Sequence, residues 1–296
     1  MKVLVAGGTG VIGKPLIAQL RAAGHEALSL GRKAGDVRAD ALDAAAVKKA
    51  IAGVRPDVLV HQLTAIPPRL DPKRIDRDYA LTNRLRTEGT RNLVDAAKEA
   101  GVRRFVAQSV AFLAPPGEGL ASEREPVWSE GSCYVALGGA LADLETQTMS
   151  AGFEQALVCR YGLFWGPGTV WDRDGAMIAG LRKRRLPVVG KGEGRFSFIH
   201  VDDAAAATIA LMDKGVSGVF HVAEDEVPTA GDALRLAAQK LGAKKPWRVP
   251  RWIGRLGAGR FGVHMMTAMR GASNAAAKAQ GWAPRRAFMR DFPDWR

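Results

Sequence analysis

The sequence predicts an α/β fold, a doubly wound parallel sheet with a smaller, mostly helical C-terminal substrate domain. Three observations carry this. Short apolar runs with little polar alternation recur between helical segments, as expected for a parallel sheet covered on both faces. A glycine-rich turn, Gly7-x-x-Gly10-x-x-Gly13, joins the first such run to the first helix. Beyond residue 225 the strand pattern stops, and Pro246 and Pro250 precede short helical pieces.

The elements follow in order. Residues 2–6 form a buried strand, 11–23 a helix ended by Gly24, and 26–30 a second strand. Asp43 opens a helix through Ile51 that Gly53 stops, and 57–60 is a third strand. A long helix spans 78–100, with Leu93, Val94, Ala97 and Ala100 near a 3.6-residue period and Gly101 as its cap. A strand at 105–108 precedes a loop at 114–131 rich in Pro, Gly and Glu. Then come a helix at 134–150, a strand at 156–161, a break at 162–169 and a helix at 176–184. Strands at 196–199 and 219–222 flank a helix at 202–212, with Asp202 placed to cap it, and 230–241 is helical. Residues 1–165, with 196–224 returning to them, are expected to form a Rossmann-type domain. Residues 166–195 and 225–296 are expected to form the substrate or cap domain.

The balance of 47% apolar and 25% charged residues is that of a soluble globular protein. No apolar run has membrane-spanning length, so no membrane partner is expected. The N-terminal apolar stretch passes straight into the glycine turn and reads as a strand, not a leader. With only Cys133 and Cys159 there is no disulfide framework, and the cytoplasm is the expected location. The net charge is +13, and from Lys244 onward twelve Lys/Arg face two acids, Asp291 and Asp294. Arg182-Lys183-Arg184-Arg185 adds a second cluster. Stacking aromatics, zinc spacing and a recognition helix are all missing, which argues against nucleic acid. An anionic small-molecule substrate or phosphate subsite fits the charge, as does mere genome composition.

Gly7, Gly10 and Gly13 let a pyrophosphate approach the N–H groups at a helix start, and Thr9, Val11 and Ile12 complete the turn. The second strand ends Leu30-Gly31-Arg32-Lys33, with no acid for ribose hydroxyls. Arginine holds a 2′-phosphate well, so Arg32 and Lys33 point to NADP(H) over NAD(H), with nearby Asp36 pulling toward NAD(H). No His, Cys or acid spacing suggests a metal.

Further stretches carry a family likeness. They include Asp40-Ala-Leu-Asp43, Val60-His61-Gln62-Leu63-Thr64-Ala65, Glu88-Gly89-Thr90-Arg91-Asn92-Leu93 and Arg104-Phe105-Val106-Ala107-Gln108-Ser109. Gly166-Pro167-Gly168, Phe198-Ile199-His200-Val201-Asp202-Asp203 and Gly281-Trp282-Ala283-Pro284 follow. The chain resembles the extended short-chain dehydrogenase/reductases, the NAD-dependent epimerase/dehydratase group, along essentially its whole length. The resemblance implies that Asp40 bonds the adenine amino group and that Leu63, Thr64 and Ala65 line the middle of the cofactor. It also implies that Tyr161 and Gly162 lie near the nicotinamide.

The departures concern the chemistry. The family's oxidoreductases keep Tyr-x-x-x-Lys, in which the lysine lowers the phenol's pKa for proton transfer. Here Tyr134 is followed four residues later by Gly138, and a register set by Glu145 puts Leu137 and Leu141 at the two positions. The serine position falls at Ser109 or Val110, the helix asparagine is Arg86, and the asparagine after Arg-Tyr is Leu163. The arginine two before the Phe-Ile-His phenylalanine is Phe196, with Arg195 one place earlier.

The remaining candidates for proton transfer or substrate bonding are Tyr161, Ser109 and Tyr134. Tyr134 reads more readily as an ordinary helix-start aromatic, and Tyr161 as packing against the cofactor. His61 and His200 read as structural. Trp128, Phe164, Trp165 and Trp171 either wall a pocket or join the domains. The tract 190–194 reads as a flexible hairpin or lid edge. Two functions follow. One is an NADP(H)-dependent oxidoreductase or epimerase-like enzyme acting on a small carbonyl or hydroxyl compound, sugar-like ones included. The other is a non-catalytic NADP(H)-binding protein that senses redox state or regulates a partner. A homodimer is compatible with either.

Overall fold

The computed structural model describes residues 1–131 and 133–295. Its strands are β1 (Lys2–Ala6), β2 (Glu26–Gly31), β3 (Val37–Arg38), β4 (Val58–His61), β5 (Arg104–Val110) and β6 (Gln155–Tyr161). They continue with β7 (Leu163–Trp165), β8 (Val188–Val189), β9 (Phe198–His200), β10 (Gly218–Val222) and β11 (Arg248–Val249). Among the described residues, seven of these make one parallel sheet in the order β10-β6-β5-β4-β1-β2-β3. The chain leaves β1 in one direction to β2 and in the other to β4. That reversal opens a crevice at the carboxyl ends of β1 and β4, where α/β sheets bind ligands.

Alternate residues of a strand face opposite sides, and both sides are buried here. Val3, Val5, Val58 and Val60 pack on one face with Leu16, Leu157 and Leu211. Leu4, Leu59 and Phe105 pack on the other with Ile51 and Leu93. The helices covering the sheet include α1 (Gly13–Ala22), α2 (Ala44–Val54), α3 (Ile75–Arg84), α4 (Thr90–Glu99) and α5 (Val135–Ser150). The remaining helices are α6 (Ala176–Arg182), α7 (Val201–Lys214), α8 (Ala230–Lys240), α9 (Arg251–Thr267), α10 (Ala275–Ala279) and α11 (Phe288–Asp291); α7 and α10 also pack on the central sheet, whereas α6, α8, α9 and α11 share a second core with Val188 and Phe198. No helix among the described residues is long and apolar enough to cross a membrane.

Several expectations are corrected. Gly53 lies inside α2, which ends instead at Arg55 in the left-handed conformation (φ 51°). The break at 162–169 contains β7, which pairs with β9 outside the central sheet, so the strand expected at 196–199 belongs to a separate pair. Two-residue strands, β3, β8 and β11, were too short to carry a sequence pattern. Asp202 does not cap α7; the His200 ring Nδ1 accepts from Asp202 N at 3.1 Å and does so instead. The tract 190–194 is packed rather than loose. A Cβ on Gly192 would stand 2.9 Å from Gly231 Cα, and one on Gly194 2.1 Å from the Met265 carbonyl.

The long helix expected at 78–100 is continuous from α3 to α4 but contains a π turn, Leu85–Gly89. Such turns widen the helix and often mark functional positions.

Candidate active site

The glycine turn is built by backbone contacts that leave no room for side chains. Gly7 has φ +90°, and its N–H donates to the Leu30 carbonyl at 2.8 Å. A Cβ on Gly7 would stand 2.8 Å from the Gln62 carbonyl, and one on Gly13 2.1 Å from the Gly7 oxygen. The first turn of α1 has neither an acidic residue nor a side-chain cap, so its positive end faces the crevice unopposed.

One cavity of about 1390 Å³ runs from this turn across the sheet edge. Gly7, Thr9, Gly10, Val11, Ile12 and Gly13 line its floor. Arg32, Lys33 and Asp40 line one end, with Arg32 Nη1 3.7 Å from Asp40 Oδ2. Leu63, Thr64 and Ala65 flank it, and Tyr161 also lines it. Asp36 is directed elsewhere: its carboxylate accepts from Ser29 N and Ser29 Oγ, both at 2.8 Å. Gln62 lines the same cavity, and its buried Oε1 has no hydrogen-bond partner among the described residues. A cradle closed to Cβ atoms and an uncapped helix start at the cavity floor fit a nicotinamide dinucleotide.

The chemical positions are apolar. Leu137 and Val110 line the cavity, and Leu141 is buried beside them in a cluster with Tyr79. Lys191 does not return to fill the gap; it is exposed and lies 3.7 Å from Glu193. The other proposed donors are engaged elsewhere. Ser109 points to the opposite side of β5 from Gln108 and Val110, and its Oγ donates to Glu145 Oε1 at 2.6 Å. Glu145 also receives both Nε and Nη2 of Arg160, at 2.8 and 2.6 Å. Tyr134 is fully buried against Phe261 and His264, outside the cavity lining, and burial pushes its phenol pKa up.

Tyr161 lines the cavity as a fully buried residue, and its hydroxyl is bonded within the core. Its Oη lies 2.6 Å from Thr208 Oγ1 and accepts from Gln62 Nε2 at 3.0 Å. Burial raises its pKa well above the usual phenol range. His61 bridges Thr90 Oγ1 and Leu63 N, and burial holds its pKa down at about 4, so it is neutral.

Beyond these positions the cavity is walled by Leu70, Phe112, Trp171, Val189, Phe261 and Met265. Phe164 and Trp171 are the cavity-lining members of the aromatic set. Trp165 packs on Phe288 and donates to Glu224, and Trp128 packs on Tyr134. Arg185 lines the cavity from the exposed basic cluster. Sequence reasoning noted Arg86 only as a departure and passed over Tyr79. Both line the cavity. The available signal was spacing: Tyr79, Arg86 and Leu93 fall seven apart, so the arginine lies on the buried face of its helix. Among the described residues no group of three or more His, Cys, Asp or Glu could hold a metal.

A parallel sheet with a glycine turn at its switch point and an adjoining apolar cavity defines a nicotinamide-dinucleotide-binding protein of the short-chain dehydrogenase/reductase type. The model of the NAD dependent epimerase/dehydratase family matches residues 3–223, and the chain belongs to that family. It is 43% identical over 308 aligned positions to a 3-diazoavenalumate denitrifying reductase of Streptomyces sp., covering 100% of this chain and 98% of that one. It is 26% identical over 283 positions to a 2-alkyl-3-oxoalkanoate reductase of Stenotrophomonas maltophilia (strain K279a), covering 89% and 82%. The fold is shared with the NAD complex of UDP-glucose 4-epimerase from Thermus thermophilus. The TM-score is 0.76 and the identity 24%, over 99% of this chain and 97% of that one. It is also shared with a human epimerase family protein bound to NADPH, with a TM-score of 0.74 and 22% identity, over 98% and 97%.

Proposed function

We propose that this protein is an NADPH-dependent reductase that passes hydride to an aryl diazo carboxylate and releases dinitrogen. The observation that carries the reading is the apolar set at the chemical positions: Val110 and Leu137 line the same cavity as the dinucleotide cradle, with Leu141 buried beside them. A ketone taking hydride needs a proton at oxygen, and the side chains there supply none. An arenediazonium group needs none: it accepts hydride, loses dinitrogen and leaves an aryl C–H bond, so charge and electrons balance. The full-length likeness to a denitrifying reductase supports the same chemistry.

The nicotinamide supplies the hydride when bound. The protein's contribution is binding and exclusion. In this reading Arg32 and Lys33 would hold the 2′-phosphate and the α1 N-terminus the diphosphate. Phe112, Phe261 and Trp171 offer flat apolar walls to an aromatic ring and keep water from a reactive cation. In this reading residues 1–165 and 196–224 hold the dinucleotide, and 166–195 and 225–296 cover the substrate.

The test is incubation with 4-carboxybenzenediazonium and NADPH deuterated at C4, with product analysed by mass spectrometry. Deuterium on the ring carbon that lost nitrogen supports the reading. Undeuterated product, together with NADPH oxidation by ketones or sugars, would replace it with carbonyl reduction. Tight NADPH binding with no oxidation by either class would favour a regulatory protein.

A further inference from the structure

We infer that Arg86 is a buried receptor for an anionic oxygen group, a carboxylate or a phosphate, of a molecule bound in the cleft. Its residue is 3% exposed, yet it lines the cavity. Burial of an arginine without a counter-charge is costly, and folded proteins pair such cations almost without exception. Among the described residues no carboxylate forms an ion pair with Arg86. Its Nη1 makes one long contact, 3.5 Å, to the neutral Asn83 Oδ1. Its Cζ stands 5.7 Å from the centre of the Tyr79 ring, a cation–π contact that orients the guanidinium without neutralising it. Neighbouring His61 is neutral and offers no negative charge. Desolvation lowers the Arg86 pKa to about 10, which still leaves it charged at neutral pH.

Position agrees with this role. Arg86 lies on the π turn Leu85–Gly89, which interrupts the helix where it passes the end of β4. Tyr79, whose ring the guanidinium covers, packs in one cluster with Val110, Leu137 and Leu141. The planar fork of arginine suits two oxygens of one carboxylate or phosphate, and in a dry site each such bond is strong. The anion has two sources in this cleft, a substrate carboxylate or the cofactor's phosphates.

The inference rests on the reductase reading only for the nature of the bound molecules. Its test reads binding, so a failure of turnover would sink that reading and leave this one standing. Calorimetry on the full chain compares NADP⁺ binding, and then cinnamate and neutral cinnamamide binding to the NADP⁺-saturated protein. The wild type is expected to prefer cinnamate by about tenfold or more. If Arg86→Met removes that preference and spares NADP⁺, the receptor holds a substrate carboxylate. If it weakens NADP⁺ by about tenfold or more and spares the preference, the receptor holds a cofactor phosphate. Both outcomes support the inference. It is overturned if neither affinity changes, and also if only the ligand-free protein loses thermal stability, since an unpaired charge should not be missed in its absence. Arg86→Lys keeps the charge and should keep part of either effect. Should Arg86→Met not fold, Arg86→Lys against Arg86→Gln gives the same comparison.

Discussion

The Tyr161 hydroxyl lies 2.6 Å from Thr208 Oγ1, and Thr208 Oγ1 in turn donates to the Ala204 carbonyl at 2.8 Å. Thr208 therefore accepts, and the phenol proton is spent inside the core. Gln62 Nε2 occupies a lone pair of the same oxygen. Tyr161→Phe should cost about 1–2 kcal/mol of stability, because it strands buried polar partners. NADPH oxidation by the proposed substrate should stay within about threefold of wild type. A loss near a hundredfold would put Tyr161 in the proton path.

Arg32 and Lys33 border the cavity, while Asp36 is held by Ser29. Replacing both cations with alanine should weaken NADPH by about tenfold or more and leave NADH nearly unchanged. Equal weakening of the two, read by fluorescence titration, would remove the case for NADPH selection.

Gly13→Ala places a methyl carbon 2.1 Å from the Gly7 oxygen, where only backbone movement can relieve it. Cofactor binding should fall below detection in calorimetry, with stability lowered by about 1–3 kcal/mol. Retained affinity would mean that the turn is not the diphosphate site.

The Glu145–Arg160 pair is buried and bidentate, with Ser109 donating to the same carboxylate. Glu145→Gln should cost about 3–5 kcal/mol in urea unfolding, because it leaves Arg160 uncompensated. Ser109→Ala should cost only about 1 kcal/mol and keep turnover. A large rate loss in Ser109→Ala without instability would return Ser109 to the chemistry.

Burial raises the Glu224 pKa from 4.5 to about 7, against the Phe288 N–H and Trp165 indole bonds that lower it. A raised carboxyl pKa means the folded state holds the proton longer than the unfolded state. Its stabilising contribution is complete below about 4.5 and is lost as pH rises through about 7. His61, lowered from 6.5 to about 4, acts the other way, losing stability as pH falls. The informative measurement is therefore the difference between wild type and Glu224→Gln. Over pH 4.5–7.5 wild type should lose on the order of 2 kcal/mol relative to the variant. A difference independent of pH would mean Glu224 is ionised throughout.

Much of the frame was legible because local rules govern it. The apolar runs at 2–6, 57–60 and 156–161 are strands because both sheet faces are covered, and Leu93, Val94 and Ala97 mark a buried helix face. What escaped had no local signature. The pairs β7–β9 and β8–β11 join short segments far apart in sequence. The π turn at Leu85–Gly89 leaves composition unchanged.

The amino-acid sequence by itself determined the dinucleotide cradle. Gly7, Gly10 and Gly13 are required by a turn whose geometry is set within thirteen residues, and Arg32 and Lys33 follow at the next strand end. It also determined that no Tyr-x-x-x-Lys pair exists. Only the tertiary structure decided where the remaining polar groups point. Ser109 turns from the cavity because neighbours on a strand face opposite sides, and the Tyr161 hydroxyl turns inward because Thr208 and Gln62 stand behind it. Arg86, whose spacing in the linear chain marks only a helix face, becomes a buried cation at the cavity wall. Its helix is continuous from α3 to α4 and carries that face inward, past a site that holds no carboxylate to meet it among the described residues.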